Sequence, residues 1–136
     1  MGSFRTVRIA CALLVALPLI LAACGDSQRS SPPQAMQVAE LAERIRAENA
    51  PLILDVRSRR EYAAGHIPGA VHIPYDELPG RLDEIDGDKT AEVVVYCQTG
   101  PRAVFAEDVL VRAGYTNVRN LEGDMRSWRR AGYPIR

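Results

Sequence analysis

Val93-Val94-Val95-Tyr96-Cys97-Gln98-Thr99-Gly100-Pro101-Arg102 is the stretch on which the reading of this chain turns. Its first four residues are β-branched and aromatic, a run that reads as a buried strand. From Arg102 to Ala113 the apolar spacing becomes helical, and Gly114 stops it. Residues Cys97–Arg102 therefore lie at the carboxyl end of a strand and the amino end of a helix. Free N–H groups and the positive end of the helix dipole point into such a loop, which suits it to an anion.

The rest of the chain alternates in the same manner. Val38, Leu41, Ala42 and Ile45 share one helical face, closed by Asn49 and Pro51. Pro51–Val56 reads as a short buried strand, Arg59–Ala64 as a helical turn or two, and Ala70–Ile73 as another strand. Asp76–Ile85 reads as a weaker helix broken near Pro79-Gly80. A strand over Asn117–Leu121 and a helix over Met125–Ala131 complete the order. Such alternation predicts an α/β fold: a single domain with a parallel sheet and helices on both faces. Ligands in such sheets gather at the carboxyl ends of strands, where Asp55 and Cys97 both fall.

Ahead of that pattern the chain reads differently. Arg5 and Arg8 precede an uncharged apolar run, Ile9–Ala23, that ends Leu21-Ala22-Ala23-Cys24. A basic start, a short greasy core and small residues at the break describe an export signal over residues 1–23. The run is short for a spanning helix and Pro18 interrupts it, so an uncleaved membrane helix is the weaker alternative. Residues 24–35, rich in Ser with paired Pro, hold too little apolar surface to fold and read as a flexible linker. The folded part is then 36–136.

Leu21-Ala22-Ala23-Cys24 resembles the lipobox of bacterial lipoproteins. The resemblance implies that Cys24 is lipidated and tethers the domain to a membrane without spanning it, on the periplasmic or another extracytoplasmic face of the cell envelope. Cys11 would leave with the signal and Cys24 would carry lipid. Cys97 would then remain as a solitary thiol, unable to form an internal disulfide, and an odd cysteine in an exported protein suggests a reactive one.

Charge contributes exclusions. The chain carries 17 basic and 17 acidic residues, and no basic stripe or interleaved aromatic pattern points to nucleic acid. His66 and His72 lack acidic or cysteine companions at ligand spacing, so no metal is expected, and nothing in the pattern calls for a cofactor.

The chemistry follows from the cysteine loop. Successive N–H groups in a curled loop converge above the sulfur. A helix amino terminus or a nearby arginine draws a cysteine from its ordinary pKa of about 8.5 into the range of roughly 3.5–7.5. Arg102 and the loop amides are therefore expected to keep Cys97 anionic. Gly100 permits a positive φ, and Pro101 removes one donor. A thiolate so held can take sulfur from a small sulfur-containing anion and pass it to a second nucleophile, such as a thiol, cyanide or a protein acceptor. The same donors would stabilise the anionic persulfide between the two halves.

These residues resemble the rhodanese domain, over about Met36 to Ile135. Cys97-Gln98-Thr99-Gly100-Pro101-Arg102 is similar to that family's Cys-x-x-Gly-x-Arg loop. Asp55-Val56-Arg57-Ser58-Arg59-Arg60-Glu61-Tyr62-Ala63-Ala64-Gly65-His66-Ile67-Pro68-Gly69-Ala70 and Leu121-Glu122-Gly123-Asp124-Met125-Arg126-Ser127-Trp128 resemble its flanking motifs. The resemblance implies a single-domain sulfurtransferase in which Cys97 carries the persulfide. The backbone of Gln98, Thr99, Gly100 and Arg102 would surround that persulfide, with the Arg102 guanidinium closing the loop. Two positions depart from the family pattern. Gln98 stands where many members have a basic residue, and Asp124 where a second glycine is common.

Asp55 and Arg57 are candidate supporting residues, Asp55 more as a cap or a partner of Arg57 than as a substrate ligand. Turn and core roles suit His66 and Trp128, and local helix or arginine contacts suit Glu61. Two other functions compete with sulfur transfer. A catalytically silent binding or sensing module would keep the fold and leave Cys97 unreactive. Phosphatases and arsenate reductases also place Cys before a cradle ending in Arg, but they have one more residue between the two, so the short loop disfavours them.

Overall fold

The computed structural model describes residues 34–136. The leader, Cys24 and most of the linker lie outside the described residues. The elements run α1 (Val38–Arg46), β1 (Leu52–Asp55), α2 (Arg59–Ala63), β2 (Val71–His72), β3 (Val93–Tyr96), α3 (Pro101–Arg112), β4 (Val118–Asn120) and α4 (Asp124–Arg130). The four strands are parallel in the order β2-β1-β3-β4, with Leu54 opposite both Val71 and Val95, and Val95 opposite Asn120. Beyond β4, Met36 forms a parallel bridge with Leu121.

Side chains on a strand alternate between faces, and here the alternation separates two cores. Leu54, Val93, Val95 and Cys97 face α3, packing with Ala103, Ala106 and Leu110. Ile53, Val94 and Tyr96 face the other way, against Leu41, Met125 and Trp128 from α1 and α4. Both faces of the sheet are covered, which is why β3 reads as four buried residues in succession.

Asp76–Ile85 does not form the helix its sequence predicts. Two short 3₁₀ turns, Leu78–Gly80 and Leu82–Glu84, stand there instead. Pro79 brings no N–H and Gly80 favours other conformations, so a continuous i→i−4 ladder cannot propagate. Leu78 and Ile85 still reach the α3-side core.

The strand order creates a switch point. After β1 the chain runs outward to β2, and after β3 it runs the opposite way to β4. The loops leaving β1 and β3 diverge at the carboxyl ends of two adjacent strands, and this divergence opens the place where such sheets receive ligands. Cys97 is the first residue beyond β3.

Candidate active site

Cys97 is fixed through both ends of its own peptide unit. Its N–H donates to Asp124 Oδ1 at 2.6 Å, and its carbonyl accepts from the Met125 N–H at 3.1 Å. The α4 start thus clamps the cysteine to the sheet edge. The chain then turns through Gly100, whose φ of 118° is a conformation that L side chains rarely adopt, and α3 begins at Pro101.

This turn aims the Gly100 N–H at the sulfur, with N to Sγ 3.0 Å. Pro101 occupies the first helical position, where its missing N–H interrupts no helical bond, and the first-turn N–H groups that follow have no intrahelical acceptor. The sulfur therefore sits at the positive end of a helix of 12 residues, with one amide already bonded to it. Gln98 is half-buried, while Thr99 and Pro101 are exposed. Cys97 itself is 1% exposed, so the sulfur lies beneath its loop with little of it open to solvent.

Arg102 reaches from the loop to α2. Its guanidinium makes a bidentate pair with Glu61 on α2, with Nη1–Oε2 2.7 Å and Nη2–Oε1 2.8 Å. Glu61 also completes a capping box with Ser58: its carboxylate accepts from the Ser58 N–H and hydroxyl. The hydrogen bonds from Arg102, reinforced by Ser58 and opposed by burial, hold the Glu61 carboxyl well below the usual range. Arg102 is pushed above the ordinary arginine value by Glu61 first, against some burial, and then by Cys97. The pair bridges α2 and α3, the two helices that follow the diverging strands.

Asp124 is the residue whose place in the site the sequence conveys least. It is 5% exposed at the first position of α4, with φ of 55° after Gly123 at 72°. Asp tolerates the left-handed region better than most residues. A Cβ built on Gly123 would meet Ser127 Oγ at 2.0 Å, so the preceding position is closed to any side chain. Burial raises the Asp124 carboxyl, and the Cys97 N–H and thiol, followed by Arg102 and Arg126, work against that rise.

Asp55 and Arg57 stand apart from the sulfur. Arg57 Nη2 lies 2.6 Å from Asp55 Oδ2, its Nε reaches both carboxylate oxygens, and its Nη2 also donates to the Gly65 carbonyl. Burial opposes the Arg57 charge, and Asp55 overcomes it, leaving the pKa raised. The guanidinium also lies over the Tyr96 ring at 5.5 Å, on the face of the sheet opposite Cys97. This buried pair shapes the end of β1 and contacts neither Cys97 nor Arg102.

His66 and His72 sandwich the Tyr62 ring, with centroids 3.7 and 4.4 Å away. Trp128 is buried and donates Nε1–H to the Pro134 carbonyl. Among the described residues no group of His, Cys, Asp and Glu could hold a metal ion.

The family model for the rhodanese-like domain matches residues 37–131. The chain belongs to the rhodanese-like family. This rhodanese-like domain is 38% identical, over 95 residues, to a sulfurtransferase of Allochromatium vinosum, a match covering 70% of this chain and 87% of that one. It is 43% identical to an HTH-type transcriptional regulator of Mycobacterium tuberculosis, over 77% of this chain but only 46% of the regulator. The crystal structure of the Alr3790 protein from Anabaena superposes with a TM-score of 0.69 at 31% identity, covering 74% of this chain and 81% of that one. The parallel sheet with helices on both faces, anticipated from the alternating pattern, is thus the rhodanese-like fold.

Proposed function

We propose that this domain is a sulfurtransferase that carries sulfane sulfur on Cys97. In the first half-reaction the Cys97 thiolate attacks the outer sulfur of a donor. A new S–S bond forms to Sγ, and the donor's S–S bond breaks with its electron pair leaving on a thiolate or sulfite. In the second, a thiol or cyanide attacks the outer sulfur of the Cys97 persulfide, and the electron pair of that bond returns to Sγ. The exchange needs no external oxidant or reductant, and the thiol proton goes to solvent. The single observation that carries this reading is the Gly100 N–H at 3.0 Å from Sγ at the start of α3, a donor set in place before negative charge develops on sulfur. The sulfurtransferase name of a relative matched along most of its length supports it.

Lipid attachment at Cys24, after removal of residues 1–23, would place this activity on a membrane surface of the cell envelope, with residues 24–35 as spacer and 36–136 as the working domain. Labelling of the full chain with a radiolabelled fatty acid, lost in Cys24→Ala, tests the tether.

The chemistry is tested by thiocyanate formation from cyanide with thiosulfate or an alkyl persulfide as donor. Cys97→Ser is expected to abolish it. The 1% exposure of Cys97 favours a second reading, a binding module without turnover. Absence of thiocyanate with every donor, together with no effect of Cys97 alkylation on partner binding, would select that one.

A further inference from the structure

The charges around the sulfur are not those of a site built for a dianion. Arg102, the cation of the loop, gives its Nη1/Nη2 edge to Glu61 and acts on Cys97 less strongly. Gln98, next to the cysteine, brings no charge. Asp124 places a buried carboxylate under the loop: Oδ1 accepts from the Cys97 N–H, and Oδ2 lies 3.6 Å from where a Cβ on Gly100 would stand. Among the described residues no arginine, lysine or histidine forms an ion pair within 4 Å of that carboxylate; Arg102, paired with Glu61, and the exposed Arg126 act on it only from farther away.

We propose that Asp124 is a specificity-determining residue that biases the Cys97 site against donors bringing two negative charges to the reacting sulfurs, such as thiosulfate, and toward alkyl or protein persulfides. The inference rests on the sulfurtransferase reading above. A thiosulfate approaching Cys97 brings its sulfonate charge close to the thiolate and the Asp124 carboxylate, with the guanidinium of the loop shared with Glu61. An alkyl persulfide brings at most one charge at its sulfurs and leaves as a thiolate, so the same carboxylate opposes it less. Charge–charge terms of this kind are large where water is excluded, and Asp124 is 5% exposed.

The test is the rate at which Cys97 acquires one sulfur atom, followed by intact mass in single-turnover reactions with thiosulfate and with cysteine persulfide, for wild type and Asp124→Asn. Asparagine retains an oxygen that can accept from the Cys97 N–H and removes only the charge. The ratio of thiosulfate rate to persulfide rate is expected to rise about tenfold. A ratio unchanged, with both rates moving by one factor, overturns the proposal and leaves sulfur transfer standing. If Asp124→Asn does not fold, Asp124→Gly serves, since a φ of 55° suits glycine, and the same ratio decides. No added sulfur from either donor on wild type overturns the sulfurtransferase reading and this inference with it.

Discussion

Glu61 and Arg102 are 41 residues apart and joined by two parallel hydrogen bonds, which tie the helix after β1 to the helix after β3 across the switch point. The pair holds the Nη1/Nη2 edge of the guanidinium on Glu61, and Cys97 draws on the same group less strongly. Glu61→Gln retains much of the capping interaction with Ser58 and loosens that restraint. Alkylation of Cys97 by iodoacetamide at neutral pH is expected to quicken, with a stability loss of about 1 kcal/mol or less, since the pair is partly open to solvent. A slower alkylation would show that the pair holds Arg102 where the sulfur needs it.

Arg57 and Asp55 make the opposite kind of pair, almost wholly buried, with side chains 1% and 0% exposed. Arg57→Leu leaves the Asp55 carboxylate without its cation, and about 3–5 kcal/mol of stability is expected to go. Adding Asp55→Asn to that variant should recover part of the loss, because the buried charge is then gone. Urea denaturation midpoints of the two variants measure this. A single variant as stable as wild type would mean that the carboxylate finds water.

Acid stability follows from the sign of the shifts. Glu61 has a folded-state pKa below its unfolded value, so its contribution is present above the ordinary glutamate pKa of about 4.3 and is lost as the pH falls through the lower folded value. Asp124 is raised by burial, so it disfavours the fold at neutral pH and relaxes that penalty as it protonates. The melting temperature of Glu61→Gln is therefore expected to fall less than that of wild type below about pH 4.3, and that of Asp124→Asn to exceed wild type most at neutral pH. Thermal melts across the acid range check both, and parallel curves for all three proteins would contradict the assignment.

Period and punctuation made most of the fold legible. Val93–Tyr96 could be recognised as a strand because both of its faces are covered, and Gly100 and Gly114 bracket α3 where the backbone requires a turn. Asp76–Ile85 misled because its apolar spacing reports only that Leu78 and Ile85 are buried, which two 3₁₀ turns achieve as well as a helix. In the site, the place of Cys97, Gly100 and Arg102 could be read from local order. The partners of that loop come from distant segments, and pattern alone does not pair them. Glu61 was legible only as a maker of local helix or arginine contacts, and Asp124 only as a departure from the family's second glycine. Both meet the cysteine loop because β1, β3 and β4 end side by side.

The measurement that bears most directly on the central claim is intact mass spectrometry of the protein after exposure to cysteine persulfide, with removal of the added mass by a thiol reductant. Wild type is expected to gain one reducible sulfur atom, mapped to Cys97, and Cys97→Ser to gain none. An equal gain in Cys97→Ser, or no gain in wild type with any sulfane donor, would contradict the account.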